Sequence, residues 1–173
     1  MRAAMSWPHA WIWLLSCLSM ALFPGLTRAE PPCRSSLDNS SVDFGAHIQG
    51  DLSNASAQRR VVLHVQCDRA VPLAIAFVAP AGPEGYRFGD GSLHLRVVAA
   101  RVDGESVLLA REGGTDMAES RPLRPGDRLT PMRAGSAAVG ANFSFDVFID
   151  VQWRHRKTSD IAELQSVGRF VVH

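Results

Sequence analysis

The side chains that could do chemistry are few and scattered. Six histidines, three cysteines and 17 carboxylates are spread over 173 residues. A zinc site needs ligands at short fixed spacings such as His-x-x-x-His or Cys-x-x-Cys, and neither spacing occurs. His64 and His94 fall on the polar sides of alternating segments, where an imidazole is a surface residue. The Gly-x-Ser-x-Gly nucleophile motif and the phosphate-binding glycine loops are absent. Asp146 and Asp150 are four apart, so on a strand they share one face. Glycoside cleavage needs two carboxylates held at a fixed separation, and nothing in the sequence fixes one. The pair reads as a solvated face. Asn39, Asn54 and Asn142 match the glycosylation sequon, incidental matches in a serine-rich chain. This chain is not read as an enzyme, and no metal or cofactor is expected.

Cys33 and Cys67 point to covalent structure rather than catalysis. Val61, Leu63, Val65 and Cys67 recur at spacing two, so they share one strand face, with Arg60, His64 and Gln66 on the other. A cysteine that ends an apolar face points inward. The third cysteine, Cys17, sits in the segment read below as a leader, which leaves Cys33 as the partner of Cys67. The bridge closes a loop of roughly 34 residues, worth about 3 to 4 kcal/mol on the chain-entropy account.

The chain opens on a basic Arg2, then an apolar run from Ala10 to Phe23, then Pro24-Gly25 and the small-residue site Thr27-Arg28-Ala29. This is the pattern of a secretory signal peptide over 1–29. The run is shorter than the ~20 residues that span a bilayer. Leu14-Leu15-Ser16-Cys17 also resembles a lipobox, which would make Cys17 the lipidated terminus instead. Export fits a disulfide-permissive compartment. Cleavage after Ala29 removes Arg2 and Arg28, which leaves 16 basic residues against 17 acidic. A near-neutral chain has no electrostatic footprint for nucleic acid or for an anionic membrane.

The elements that must position these residues are strands. Val42 and Phe44, with Ala46 and Ile48, alternate as a short strand, and Gln49 to Gln58 is polar enough for a loop. Val61 to Cys67 is a strand, Asp68-Arg69-Ala70 a short connection, and Leu73, Ile75 and Phe77 a second strand paired with the first as a hairpin. Ala79 to Gly91 is a glycine- and proline-rich loop ending in Asp90-Gly91. Leu93, Leu95 and Val97 face inward on the next strand, with His94 and Arg96 outward. Asp103-Gly104 then predicts a two-residue hairpin to Val107-Leu108-Leu109. Gly113 to Ser120 reads as a mobile loop and Leu129 to Met132 as a brief extended piece. Phe143, Phe145, Val147, Ile149, Val151 and Trp153 alternate over a long strand, with Ser144, Asp146, Asp150 and Gln152 on its other face. A last strand spans 167–172. No segment keeps helical spacing. Short strands between Gly/Pro/Asn/Asp turns predict one all-β sandwich domain over 30–173.

Three of these features together resemble one family. An exported chain of ~145 residues carries an early cysteine, then Val42-Asp43-Phe44-Gly45, then a strand closing in Val65-Gln66-Cys67-Asp68. This layout resembles the pilin-type subunits of bacterial chaperone–usher fimbriae. Gly168-Arg169-Phe170-Val171-Val172-His173 is similar to the pilin C-terminus, without its penultimate tyrosine. The resemblance implies an incomplete immunoglobulin-like sandwich that lacks its final strand. The gap would be a groove bordered by the first and last strands, to which Phe170 and Val172 contribute side chains. It implies a structural or adhesive subunit, exported through the periplasm to the cell-surface fimbria. The implied partners are a periplasmic chaperone, the outer-membrane usher, other fimbrial subunits and a host receptor. Only Glu30, Pro31 and Pro32 would precede Cys33 after cleavage, and two prolines cannot donate to a ladder. Such a subunit would accept a donor strand without giving one, as at a fibre tip. The alternative is a free-standing secreted β-sandwich that binds a ligand with a complete sheet.

Overall fold

The computed structural model describes residues 33–44, 54–89, 91–154 and 166–173. The expected leader, the Glu30–Pro32 stretch, Ala46, Ile48 and Asp90 lie outside the described residues. Among the described residues the regular structure is all strand: β1 (Cys33–Leu37), β2 (Asn54–Pro72), β3 (Ile75–Val78), β4 (Ala81–Gly82), β5 (Gly85–Phe88), β6 (Gly91–Val102), β7 (Glu105–Arg111), β8 (Met117–Ala118), β9 (Arg121–Leu123), β10 (Leu129–Arg133), β11 (Ser136–Ala137), β12 (Val139–Arg154) and β13 (Arg169–Val172).

Hydrogen bonding orders the main strands β1-β2-β12-β6-β7-β10-β3-β13. Every pairing along this path is antiparallel. The path folds into two layers at β7. Glu105 to Val107 pair with β6, and Leu108 to Arg111 pair with β10. The first four strands make one layer and the last four the other. Val61, Leu63 and Val65 of β2, Leu95 and Val97 of β6, and Phe143, Phe145 and Val147 of β12 join Leu109, Leu129 and Ile75 in one buried cluster. This is a β-sandwich, with the period-two faces of both layers turned to a shared core.

The long alternation read in the sequence sits at the centre of the first layer. β12 is flanked by β2 and β6, with Phe145 opposite Leu63 on one side and Ala100 on the other. Phe143, Phe145, Val147 and Val151 are buried, Ile149 is half-buried and Phe148 is exposed. The Asp103-Gly104 hairpin is also present. Both residues have positive φ, 51° and 87°, as a type I′ turn requires. Leu93, Leu95 and Val97 face the core, as expected.

Several elements differ from their sequence reading. β1 is a strand that no alternation in the sequence marked; it forms because Cys33 to Leu37 pair with Cys67 to Leu63. Val42 and Phe44 are half-buried but not in a strand. β2 does not stop at Cys67 or begin at Val61. Its polar N-terminal part is held by the far end of β12, and its C-terminal end by Val139 and Gly140. Ladder bonding overrides the weak strand propensity of those residues. β3 does not form a hairpin with β2. The chain leaves the first layer after Pro72, and β3 pairs with β10 and β13 in the second. Within Gly113 to Ser120, Met117 and Ala118 pair with β7 as β8. On β6 the register shifts beside Asp146 and Val147, so Ala100 and Val102 resume the inward face one residue late. Asp146 lies on the outward face as expected, yet it is buried rather than solvated. The Arg60 guanidinium covers it at 2.7 Å, and the guanidinium is in turn held charged by that carboxylate.

Candidate functional site

Both ends of the strand order are edges. Among the described residues β1 pairs only with β2, and β13 only with β3. Because the layers join at β6 and β7, the two free edges fall on the opposite side of the sandwich.

β1 is fixed by its sequence. Cys33 and Cys67 sit directly opposite each other in the antiparallel register and are joined by a disulfide, with Cα atoms 3.9 Å apart. Past Leu37 the Asp38 carboxylate takes over from the backbone, and its Oδ1 accepts from the Val62 amide at 2.8 Å. The Asp38 amide donates to the Val62 carbonyl at 3.1 Å. Farther on, Arg59 Nε donates to the Asp43 carbonyl at 3.1 Å, and its guanidinium lies over the Phe44 ring. Phe44 meets Phe88 edge-on at 5.8 Å. The segment after β1 is thereby tied along β2 and against the core.

β13 is positioned by β3. Phe170 stands opposite Phe77, and Val172 opposite Ile75. His173 and Ala74 extend the ladder with reciprocal bonds of 2.9 and 3.0 Å. The Phe170 and Phe77 rings meet at 5.0 Å, and Phe77 in turn meets Tyr86 edge-on at 5.0 Å. The Tyr86 hydroxyl donates to the Phe77 carbonyl at 3.2 Å. Burial pushes the Tyr86 phenol up to about 12, reinforced by the negative charge of Asp127. Gly168 lets the chain pass over Phe77: a Cβ there would lie 2.1 Å from the ring's Cζ.

The apolar residues along this border are packed on the core but incompletely covered. Leu37 of β1, Phe77 of β3 and Phe170 and Val172 of β13 are all half-buried. The residues deep between the layers, Ile75, Leu109 and Phe145 among them, have no exposure at all. Phe170 and Val172 alternate along β13 and are both half-buried against the core. Leu37 and Phe77 were not assigned to the site. The Cys33-x-x-x-Leu37 spacing carried a signal for Leu37. For Phe77 the alternation was visible but its partner strand was misassigned.

No family model matches the chain, and no curated protein matches it. Among solved structures it is similar to the P pilus rod subunit PapA, over 82% of this chain and 98% of that chain, at 13% identity and a TM-score of 0.41.

Proposed function

We propose that this chain is a subunit of a bacterial chaperone–usher surface fimbria that accepts an extended strand along the border between β1 and β13. The observation that carries the reading is a pair of sheet edges that no described residue pairs with, beside half-covered apolar side chains, Leu37, Phe77, Phe170 and Val172. An added strand would take its main-chain bonds from the free edge, and its alternate side chains would cover those four residues. The periplasmic chaperone would supply the strand first and a neighbouring subunit later. An uncovered edge over apolar side chains is an aggregation hazard, which is why such a subunit needs a chaperone.

The test is self-complementation. An alternating apolar strand grafted after His173 through a short flexible linker fills the border from within the same chain. Purified without a chaperone, the grafted protein should be a monomer with higher yield and melting temperature than the native chain. A native chain that is already a stable monomer and gains nothing would refute the reading.

A further inference from the structure

The outward face of the first layer carries a second feature, remote from the β1–β13 border. β12 runs between β2 and β6, and the pairing sets its outward residues in rows. Phe148 lies between Arg60 and Arg96, Asp150 between Gln58 and His94, and Gln152 between Ser56 and Ser92. Rows are about 7 Å apart and strands about 5 Å apart, the scale of a sugar ring and its hydroxyls. The Gly82–Tyr86 hairpin and the Pro122–Pro125 segment stand beside this floor and make a cleft of about 1080 Å³.

The floor is built for a ligand that is apolar on one face and hydroxylated around its rim. Phe148 is an aromatic left 38% exposed in a strand whose Phe143 and Phe145 are buried. Asp150 Oδ2 accepts from Gln58 Nε2 at 3.3 Å, while Oδ1 is buried and accepts no hydrogen bond from the described residues. His94 is held by Ser92 Oγ at 3.1 Å and lies under Gly85, where a Cβ would come within 3.0 Å of its Nδ1 and 2.9 Å of the Leu93 carbonyl. Arg96 and Arg124 balance Glu84 and Asp150 among the lining residues, so the lining carries no net formal charge.

We infer that this cleft binds an uncharged saccharide, with the C–H face of a pyranose on Phe148 and a rim hydroxyl donating to Asp150. The C–H edges of the ring meet the negative face of the aromatic, and a carboxylate oxygen accepts from a hydroxyl. Gln58 and Gln152 supply donors and acceptors to the remaining rim. The inference does not rest on the fimbrial reading, since it uses neither sheet edge.

Saturation-transfer NMR on the secreted chain tests it with methyl α-D-mannoside, methyl β-D-galactoside, N-acetylglucosamine, maltose and the anionic N-acetylneuraminic acid. At least one neutral sugar should bind, with its ring protons saturated. Phe148→Ala and Asp150→Ala should each weaken that binding about tenfold or more. Leu108→Ala, an exposed apolar side chain on β7 outside the lining, should leave it unchanged. Gln152→Ala provides a third variant should either of the first two fail to accumulate. No neutral sugar bound at about 10 mM, binding of the anionic sugar alone, or full binding in the lining variants would each overturn the assignment.

Discussion

At the scale of single residues, position on the pleat sets the cost of a change. Phe145 has no exposed surface and is central to the strand that both neighbours clasp. Phe145→Ala should cost about 3 to 5 kcal/mol, read from denaturant unfolding. Ser144→Ala, on the outward face, should stay within about 0.5 kcal/mol. Gly168→Ala is the less obvious case. Its added methyl meets the Phe77 ring, so ring or strand must shift, at about 1 to 3 kcal/mol. That loss should appear as weakened β13 protection, with the disulfide intact. Tyr86 carries an alkaline signature. Its folded phenol is raised to about 12 from the ordinary 10.0, so the neutral form is favoured by folding. The stabilisation is whole below pH 10 and lost as pH rises toward 12. Tyr86→Phe should flatten that loss in a pH series of melting temperatures.

At the scale of elements, the β6–β7 turn is fastened by one carboxylate. Asp103 Oδ1 accepts from the amides of Asn142 and Ala141 at 2.9 and 3.2 Å, and the Asp103 amide donates to the Asn142 carbonyl at 2.8 Å. The turn is thus tied to the start of β12. The bond from the Asn142 amide, the largest cause, lowers the Asp103 carboxyl below its ordinary value, against a smaller opposing effect of desolvation. A lowered folded value means stabilisation that is present above the ordinary carboxylate range and lost as pH falls through the folded one. Asp103→Asn keeps an acceptor and tolerates the positive φ, but it has no proton to take up. The native chain should therefore lose more stability than Asp103→Asn between neutral and acid pH, and equal losses would remove the carboxylate from the account. Gly140, packed against this turn, has no room for a side chain: a Cβ would lie 2.3 Å from Val102 Cγ1.

At the scale of the whole molecule, stability should fall from the centre of the first layer to the free edges. β2 and β12 share the longest ladder, whereas β13 is held on one side by four register pairs and the His173–Ala74 bonds. Amide hydrogen exchange should be slowest in β12 and fast in β13, with free energies well below the global value there. Covering the border with a grafted strand should slow exchange in β13 far more than in β12. Equal slowing in both would mean that the graft acts on global stability and not on the edge.

The sequence by itself determined the all-β class, the inward faces of β6 and β12, the Asp103-Gly104 turn and the facing of Cys67. Each is a local consequence of period-two alternation or of a two-residue turn rule. The Phe170 and Val172 alternation was legible for the same reason. Tertiary structure alone decided the rest, because pairing is a contact between distant segments. It carried β2 through polar residues at both ends, sent β3 to the second layer instead of back along β2, and placed Arg60 over Asp146. Among the described residues it also left β1 and β13 as edges, with Leu37 and Phe77 beside them. The cleft was the least legible feature. Phe148, Asp150, Gln58 and His94 come from three strands far apart in the chain, and only the register of the first layer sets them side by side.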